Sequence, residues 1–260
     1  MDATLYQKER LAEILNYLKT HRRISVQQIC SLFDVSRDTA RRDIVKLDAI
    51  GAIIRTRGGA ILPTVTENIH DYWDRLNEKT GTKELIAQQA VALISKGDHV
   101  ILDASTTVLY MTDWLTAPDI TVVTNGLDVA ASLSEKASVV IHLLGGRLNT
   151  EQRFLYGSAT LKQLTDYQVN KLFLGARGIT TTGLSVVDES EGSVLHRMIQ
   201  QAEQVIVLAD HSKFGKSYFY NVCHLDSIDV IITDAPLPSE LEHILVESGI
   251  KVIIAENSNL

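Results

Sequence analysis

Two groups of residues in this chain have the types and spacing for chemistry on anions. The first is spread over five short stretches: Asp103-Ala104-Ser105-Thr106-Thr107, Thr124-Asn125-Gly126, Gly145-Gly146-Arg147, Gly175-Ala176-Arg177-Gly178 and Asp210-His211-Ser212-Lys213. Hydroxyls and backbone N–H groups at a helix start, as at Ser105, Thr106 and Thr107, suit a phosphate, which the helix dipole also favours. Lys213 adds a point charge for the same anion. The second group is Ser36, Arg37, Asp38, Thr39, Arg41, Arg42 and Lys46, with Arg55 and Arg57 beyond it. Cationic and small polar side chains at that density grip backbone phosphates and read base edges. Singly, each stretch has a plainer reading: Ser105 or Asn125 caps a helix, the glycines permit turns, and the charges form a solvated face. Placement on common elements is what makes them sites.

For the second group those elements are helical. Leu11, Ile14, Leu15 and Leu18 recur at helical spacing and predict a helix over residues 5–20. Ser25, counted with the DNA-facing residues, stands three before Gln28 in capping-box spacing, so a second helix starts there with Ile29, Leu32 and Phe33 on one face. After Asp34-Val35, Ser36 caps a third helix to about Ile50, closed by Gly51. Ala40, Ile44 and Leu47 form its core stripe, while Asp38, Thr39, Arg42 and Lys46 project opposite and Arg41 flanks them. Two short helices joined by a tight turn match a helix-turn-helix. Residues 53–57 then read as a strand, Gly58-Gly59 as a turn and Ala60-Ile61-Leu62 as the return, a wing carrying Arg55 and Arg57 towards a nucleic-acid backbone.

Residues 1–62 therefore form the expected DNA-binding domain. Pro63, Thr64, Thr66, Asn68, Asn77 and Gly81 break periodicity around Tyr72 and Trp73, which reads as a linker over 63–81. From 82 to 260, aliphatic runs alternate with helical patterns. Strands are predicted at His99 to Asp103, Ile120 to Thr124, Val139 to Leu144, Lys171 to Gly175, Gln204 to Ala209, Asp229 to Thr233 and Lys251 to Ile254. Helices are predicted at Thr106 to Trp114, Leu127 to Glu135 and Ser193 to Ala202. This alternation implies a mainly parallel sheet covered on both faces. The five polar stretches all follow strands, so they gather along the carboxyl edge, where open α/β folds bind ligands.

Charge divides the chain in the same way. Residues 1–62 carry 11 Lys+Arg against 7 Asp+Glu, and the remainder 14 against 25. A basic module for a polyanion attached to an acidic body is the simplest reading. A hydrophobic fraction of 45% excludes a disordered regulator. No apolar run reaches the ~18 residues of a membrane span and the opening segment lacks a signal-peptide core, so a cytoplasmic protein without membrane partners is expected. Cys30 and Cys223 are too few for a disulfide framework, and the eight histidines show no His-Glu-x-x-His spacing. No metal, cofactor or catalytic residue is expected.

The run Val35-Ser36-Arg37-Asp38-Thr39-Ala40-Arg41-Arg42-Asp43-Ile44, with Leu47-Asp48-Ala49-Ile50-Gly51 and Arg55-Thr56-Arg57-Gly58-Gly59-Ala60, resembles the signature of the DeoR family of bacterial sugar-metabolism repressors. The second half, from about Lys83 to Ile254, resembles the sensor domain of that family, whose fold is similar to ribose-5-phosphate isomerase and glucosamine-6-phosphate deaminase. That resemblance implies that Ser105, Thr106 and Thr107 hold the ligand phosphate and that Asn125, Gly146, Glu191 and Lys213 face the sugar. Asp103, Thr124, Arg147 and Arg177 belong to the same expected effector site. Where the family usually has Gly-Ala-Asp-Gly this chain has Arg177, and His211 stands for a usual Ser. The aligned isomerase carboxylate is missing at Arg177-Gly178, leaving Glu191 and Asp188 as the remaining candidates for a general base. The resemblance implies a DNA-binding repressor of a carbohydrate-utilisation operon, acting as at least a dimer and released from operator DNA by a phosphorylated sugar or sugar acid. The alternative is a sugar-phosphate isomerase or deaminase with an accessory DNA-binding domain.

Overall fold

Capping chemistry and helical periodicity shape the N-terminal unit, residues 1–69, of the computed structural model; the second unit is 70–260. The structure describes residues 3–21, 23–49, 53–56, 58–61, 72–237 and 239–256. The first three helices are α1 (Ala3–His21), α2 (Val26–Phe33) and α3 (Arg37–Ala49). Ile14 and Leu18 of α1, Ile29 of α2, and Ala40, Ile44 and Leu47 of α3 share one core. The predicted capping box heads α2: Gln28 N–H donates to Ser25 Oγ at 3.1 Å and Ser25 N–H to Gln28 Oε1 at 2.9 Å. Ser36 Oγ accepts from Thr39 N–H at 3.2 Å at the start of α3. The expected closing Gly51 lies outside the described residues.

The wing has three strands where two were predicted. β1 (Arg23–Ser25), β2 (Ile54–Thr56) and β3 (Gly59–Ile61) form an antiparallel sheet in the order β1-β3-β2, with Ile24 opposite Ala60 and Arg55 opposite Ala60 on its other side. β1 is three residues long and reads as an inter-helix turn, so its pattern gave no strand signal. Gly58 turns the wing at φ +100°, and a Cβ on Gly59 would strike the Ile24 carbonyl oxygen at 2.2 Å. Leu62, expected in the return strand, lies outside the described residues.

In the second unit all seven predicted strands form one sheet. These are β4 (His99–Leu102), β5 (Ile120–Thr124), β6 (Val139–Leu143), β9 (Val169–Gly175), β12 (Ala202–Leu208), β14 (Val230–Thr233) and β15 (Lys251–Ile254). Their order is β15-β14-β12-β9-β4-β5-β6 and every pairing is parallel. The chain adds strands outward to one side from β4 and to the other side from β9, which makes the carboxyl ends of these two strands the topological switch point. Val100 and Leu102 point into one layer with α5 (Thr80–Val91), α6 (Thr106–Trp114) and α7 (Leu127–Leu133). Ile101 points into the other, with α8 (Ser158–Leu164), α9 (Glu189–Gln200) and α10 (Ser239–Glu247). Each fully buried aliphatic or aromatic side chain contributes about 1.5–3 kcal/mol to this core.

Two further sheets escaped the sequence pattern: the hairpin of β7 (Arg147–Asn149) and β8 (Phe154–Tyr156), and an antiparallel sheet of β10 (Gly178–Thr180), β11 (Gly183–Val186) and β13 (Tyr220–Cys223). The expected linker also differs. Its residues 63–71 lie outside the description, but Tyr72–Asn77 form helix α4 and α5 begins at Thr80, because Tyr72 is buried and anchors the segment to the domain. Among the described residues no helix is long and apolar enough to cross a membrane.

Candidate functional site

The N-terminal unit separates the two faces of α3 sharply. Ala40, Ile44 and Leu47 are buried, whereas Arg37, Asp38, Arg41, Arg42 and Lys46 are exposed and Thr39 is half-buried. Arg37, Arg41 and Arg55 line one cleft of 410 Å³, together with Ser25 and Gly58 at the head of α2 and the turn of the wing. Three guanidinium groups in one cleft form a surface for phosphate oxygens, because Arg stays charged and offers several donors in a fixed fork. Lys46 is drawn away from this surface by α1: its Nζ donates to Gln7 Oε1 at 2.6 Å. Ser25 spends its hydroxyl oxygen on the capping box. Arg57 lies outside the described residues.

Asp43 was not singled out in the sequence and holds the unit together. It is fully buried, and its carboxylate accepts from Arg10 Nε at 2.7 Å and Gln7 Nε2 at 2.9 Å. The residue that follows two exposed arginines thus faces inward and fastens α3 to α1.

In the second unit the polar stretches meet at the β4/β9 switch point. Asp103 follows β4; its Oδ1 accepts from Ser105 N–H at 2.8 Å and its Oδ2 from Gly175 N–H at 3.0 Å, so one carboxylate ties the two strand ends. Burial pushes this carboxyl up to about 6 against the opposing pull of those donors. A Cβ on Gly175 would meet Ser105 Oγ at 2.4 Å, which places the two loops in direct contact. Ser105 Oγ caps α6 by accepting from Val108 N–H at 3.2 Å. Thr106 is buried at the same helix start and Thr107 half-buried.

Thr124 is buried and accepts from Gly126 N–H at 3.0 Å. Asn125 is 4% exposed; its Nδ2 donates to the Leu155 carbonyl at 3.1 Å, which fixes the amide orientation, and among the described residues its Oδ1 accepts no hydrogen bond. A buried acceptor left without a donor costs about 1–3 kcal/mol, so an unpaired one beside a crevice marks a place for a ligand O–H or N–H. Gly146 has a packing reason for being glycine: a Cβ there would strike Thr160 Oγ1 at 2.2 Å and the Tyr156 carbonyl oxygen at 2.6 Å. Arg147 makes its contact elsewhere, exposed and stacked over the Tyr156 ring at 5.7 Å.

The cations of the crevice come largely from residues that sequence reasoning missed. Lys213 Nζ lies 3.8 Å from Asp210 Oδ2, and Lys79 donates to Asp210 Oδ1 at 2.6 Å. Lys83 donates to the Arg75 carbonyl oxygen. Arg177 Nε sits 3.3 Å from Glu191, and both Arg177 and Arg75 reach Gln152 at the tip of the β7–β8 hairpin. Burial, then the charges of Lys213 and Arg75, hold Lys83 down to about 8. Burial and then Arg177 hold Arg75 down to about 10, and Lys213 is also lowered. Asp210 is lowered to about 2 by Lys79, Ser212 and Lys213, which outweigh its burial. Asp188, a candidate general base, caps α9 by accepting from Ser190 and Glu191 N–H groups. Arg75 and Lys79 were invisible in the sequence because 63–81 read as a connector, and Lys83 because no helix was read at the start of the following domain; only the folding of α4 and α5 brings them to the crevice. Among the described residues no group of His, Cys, Asp and Glu has a metal-binding arrangement.

Comparison with known proteins accords with both halves. The DeoR-like helix-turn-helix domain matches residues 10–66 and the DeoR C terminal sensor domain matches residues 78–235. The HTH-type transcriptional repressor GlcR of Bacillus subtilis (strain 168) is 49% identical over 97% of this chain and 98% of its own length. The glycerol-3-phosphate regulon repressor of Escherichia coli (strain K12) is 31% identical over 95% and 98%. A ribose-5-phosphate isomerase solved in complex with phospho-erythronic acid overlaps 52% of this chain and 54% of its own, at 17% identity and a TM-score of 0.39. Matched along nearly its whole length by repressors and in both units by the two DeoR domains, the chain belongs to the DeoR family of DNA-binding transcriptional regulators.

Proposed function

We propose that this regulator represses a carbohydrate-utilisation operon and leaves its operator when a phosphorylated sugar or sugar acid binds the sensor domain. The observation that carries the reading is the cation-rich crevice at the β4/β9 switch point, built into a domain whose overall charge is negative. An acidic body repels a phosphorylated metabolite except where cations are concentrated, so the crevice is where such a ligand is held. Ser105, Thr106 and Thr107 take the phosphate, Lys213 supplies charge, and Asn125 pairs with a sugar hydroxyl. That relatives include a regulator named for glycerol-3-phosphate supports a phosphorylated small metabolite. No turnover is proposed: Asp188 is spent as a helix cap and Glu191 is paired with Arg177, which leaves neither poised as a general base.

On the DNA side, Arg37, Arg41, Arg42 and Arg55 contact the duplex, with α3 in the major groove and the wing on the backbone. One winged helix makes few base contacts, so at least two copies act together on paired half-sites. Electrophoretic mobility shift with DNA from upstream of its own gene, competed by a scrambled duplex at moderate salt, tests the reading. Arg42→Ala is expected to lower operator affinity at least tenfold with effector binding retained. Lys213→Ala is expected to retain operator binding and lose release by sugar phosphates. Equal retention of operator and scrambled DNA would defeat the assignment.

A further inference from the structure

The outward face of α3 carries a side chain that phosphate binding does not account for. Val45 is aliphatic and yet 45% exposed. A lone exposed aliphatic residue is ordinary on a protein surface, and it is the position of this one that gives it meaning. At about 100° per residue, Val45 projects about 20° from Asp38, about 40° from Arg41 and about 60° from Arg42, between the two arginines and on the face opposite Ala40, Ile44 and Leu47. Arg41 stands four residues before it and Arg42 three, so both are its neighbours on the helix surface, and all three are exposed.

The two flanks of the helix are engaged. On one, Arg37, Arg41 and Ile44 line the cleft shared with Arg55 and the turn of the wing. On the other, Lys46 donates to Gln7, and Asp43 accepts from Arg10 and Gln7, which ties that side to α1. The strip between them carries Asp38, Arg42 and Val45 into solvent: an acceptor, a donor and an apolar group. Phosphate oxygens reward only the donor. Base edges in a major groove hold a counterpart for each, namely the amino group of cytosine, the acceptors of guanine and the C5 methyl group of thymine. Taking the Val45 side chain and that methyl group out of water together is favourable.

We propose that Val45 is a specificity-determining residue that packs on the C5 methyl group of a thymine in each operator half-site. The inference rests on the reading of α3 as the helix in the major groove and adds to it a base that the helix selects. Val45 lies one helical turn beyond Arg41 and Arg42, so this thymine belongs to a different base pair from any that those arginines contact. An apolar contact releases no counterions. It changes which sequence is held without changing how binding responds to salt.

The test uses the full chain and a duplex that it enriches from a random-sequence library. Each thymine of that duplex is replaced in turn by deoxyuridine, which removes the C5 methyl group and keeps the base pairing. One replacement per half-site should weaken binding by the parent roughly fourfold, the worth of one methyl group taken out of water. Val45→Ala, a change to a stronger helix former at an exposed position, should weaken binding to the thymine duplex by a similar factor and bind its uracil counterpart equally well. Its salt dependence should equal the parent's, whereas Arg41→Ala should lower the slope by about one. Enrichment repeated with Val45→Ala should relax the preference at that base pair alone. If no uracil replacement weakens the parent, or if Val45→Ala responds to each replacement as the parent does, the contact is overturned while the DNA-binding reading stands on Arg42→Ala. If the full chain enriches no sequence, both fail.

Discussion

The residues that matter most here are charges whose surroundings set their behaviour. Asp43 is sealed inside the N-terminal unit with Arg10 as its partner. Asp43→Ala would leave a mostly buried guanidinium unpaired, a loss of about 3 kcal/mol, far above that of an exposed ion pair. Chemical denaturation of the full chain should show the N-terminal unit melting early, and operator binding should fall with it even though Asp43 touches no DNA. Lys83 titrates in the folded protein near 8, below its ordinary range. Its charged form is therefore disfavoured by folding, so stability contributed by this group rises as pH climbs from about 8 towards about 10, where the unfolded chain also loses its proton. Anion binding has the opposite sense, because it needs the proton. Affinity for sulfate, whose charge is constant from about pH 7 to about pH 10, should drop as pH passes 8, and Lys83→Met should flatten that dependence. Calorimetry across the range checks both.

At the scale of elements, what could be read from the sequence was what local physics dictates. The capping box at Ser25 and Gln28, the stripe Ala40, Ile44 and Leu47, and seven apolar strand runs each carry their signal within a few residues. Their order across the sheet placed the five polar stretches on one edge, and Asp103 bonded to Gly175 across β4 and β9 is the direct expression of it. The β7–β8 hairpin, β10 and β11 escaped because they are too brief to show a period and, unlike the equally short β4, β14 and β15, are not aliphatic runs. α5 escaped because it starts after Lys79 in a left-handed conformation with no side-chain cap. Its cations, with Arg75 and Gln152, are the part of the candidate site that sequence alone left out, since their convergence exists only after folding. Gly146 shows the converse: assigned to the sugar by resemblance, it also sits where any Cβ collides with Thr160 and Tyr156. Gly146→Ala should therefore lower the melting temperature of the second unit by several degrees and weaken phosphate binding together with it; unchanged melting with lost binding would return the residue to a ligand-contacting role.

For the whole molecule the governing relation is linkage. Whatever factor the effector takes from operator affinity, operator must take from effector affinity, so the two titrations performed in each other's presence should give equal coupling factors. Unequal factors would mean that a third state, such as a change in the number of associated chains, intervenes. The buried oxygen of Asn125, undonated among the described residues, bears on which metabolites the proposed site would accept. A sugar that brings a hydrogen to that oxygen completes it, whereas a deoxy counterpart leaves it unsatisfied at about 1–3 kcal/mol, roughly a five- to 150-fold handicap. On the proposed reading, Asn125 would let the chain tell apart two compounds of equal charge and nearly equal shape by the presence of one hydroxyl.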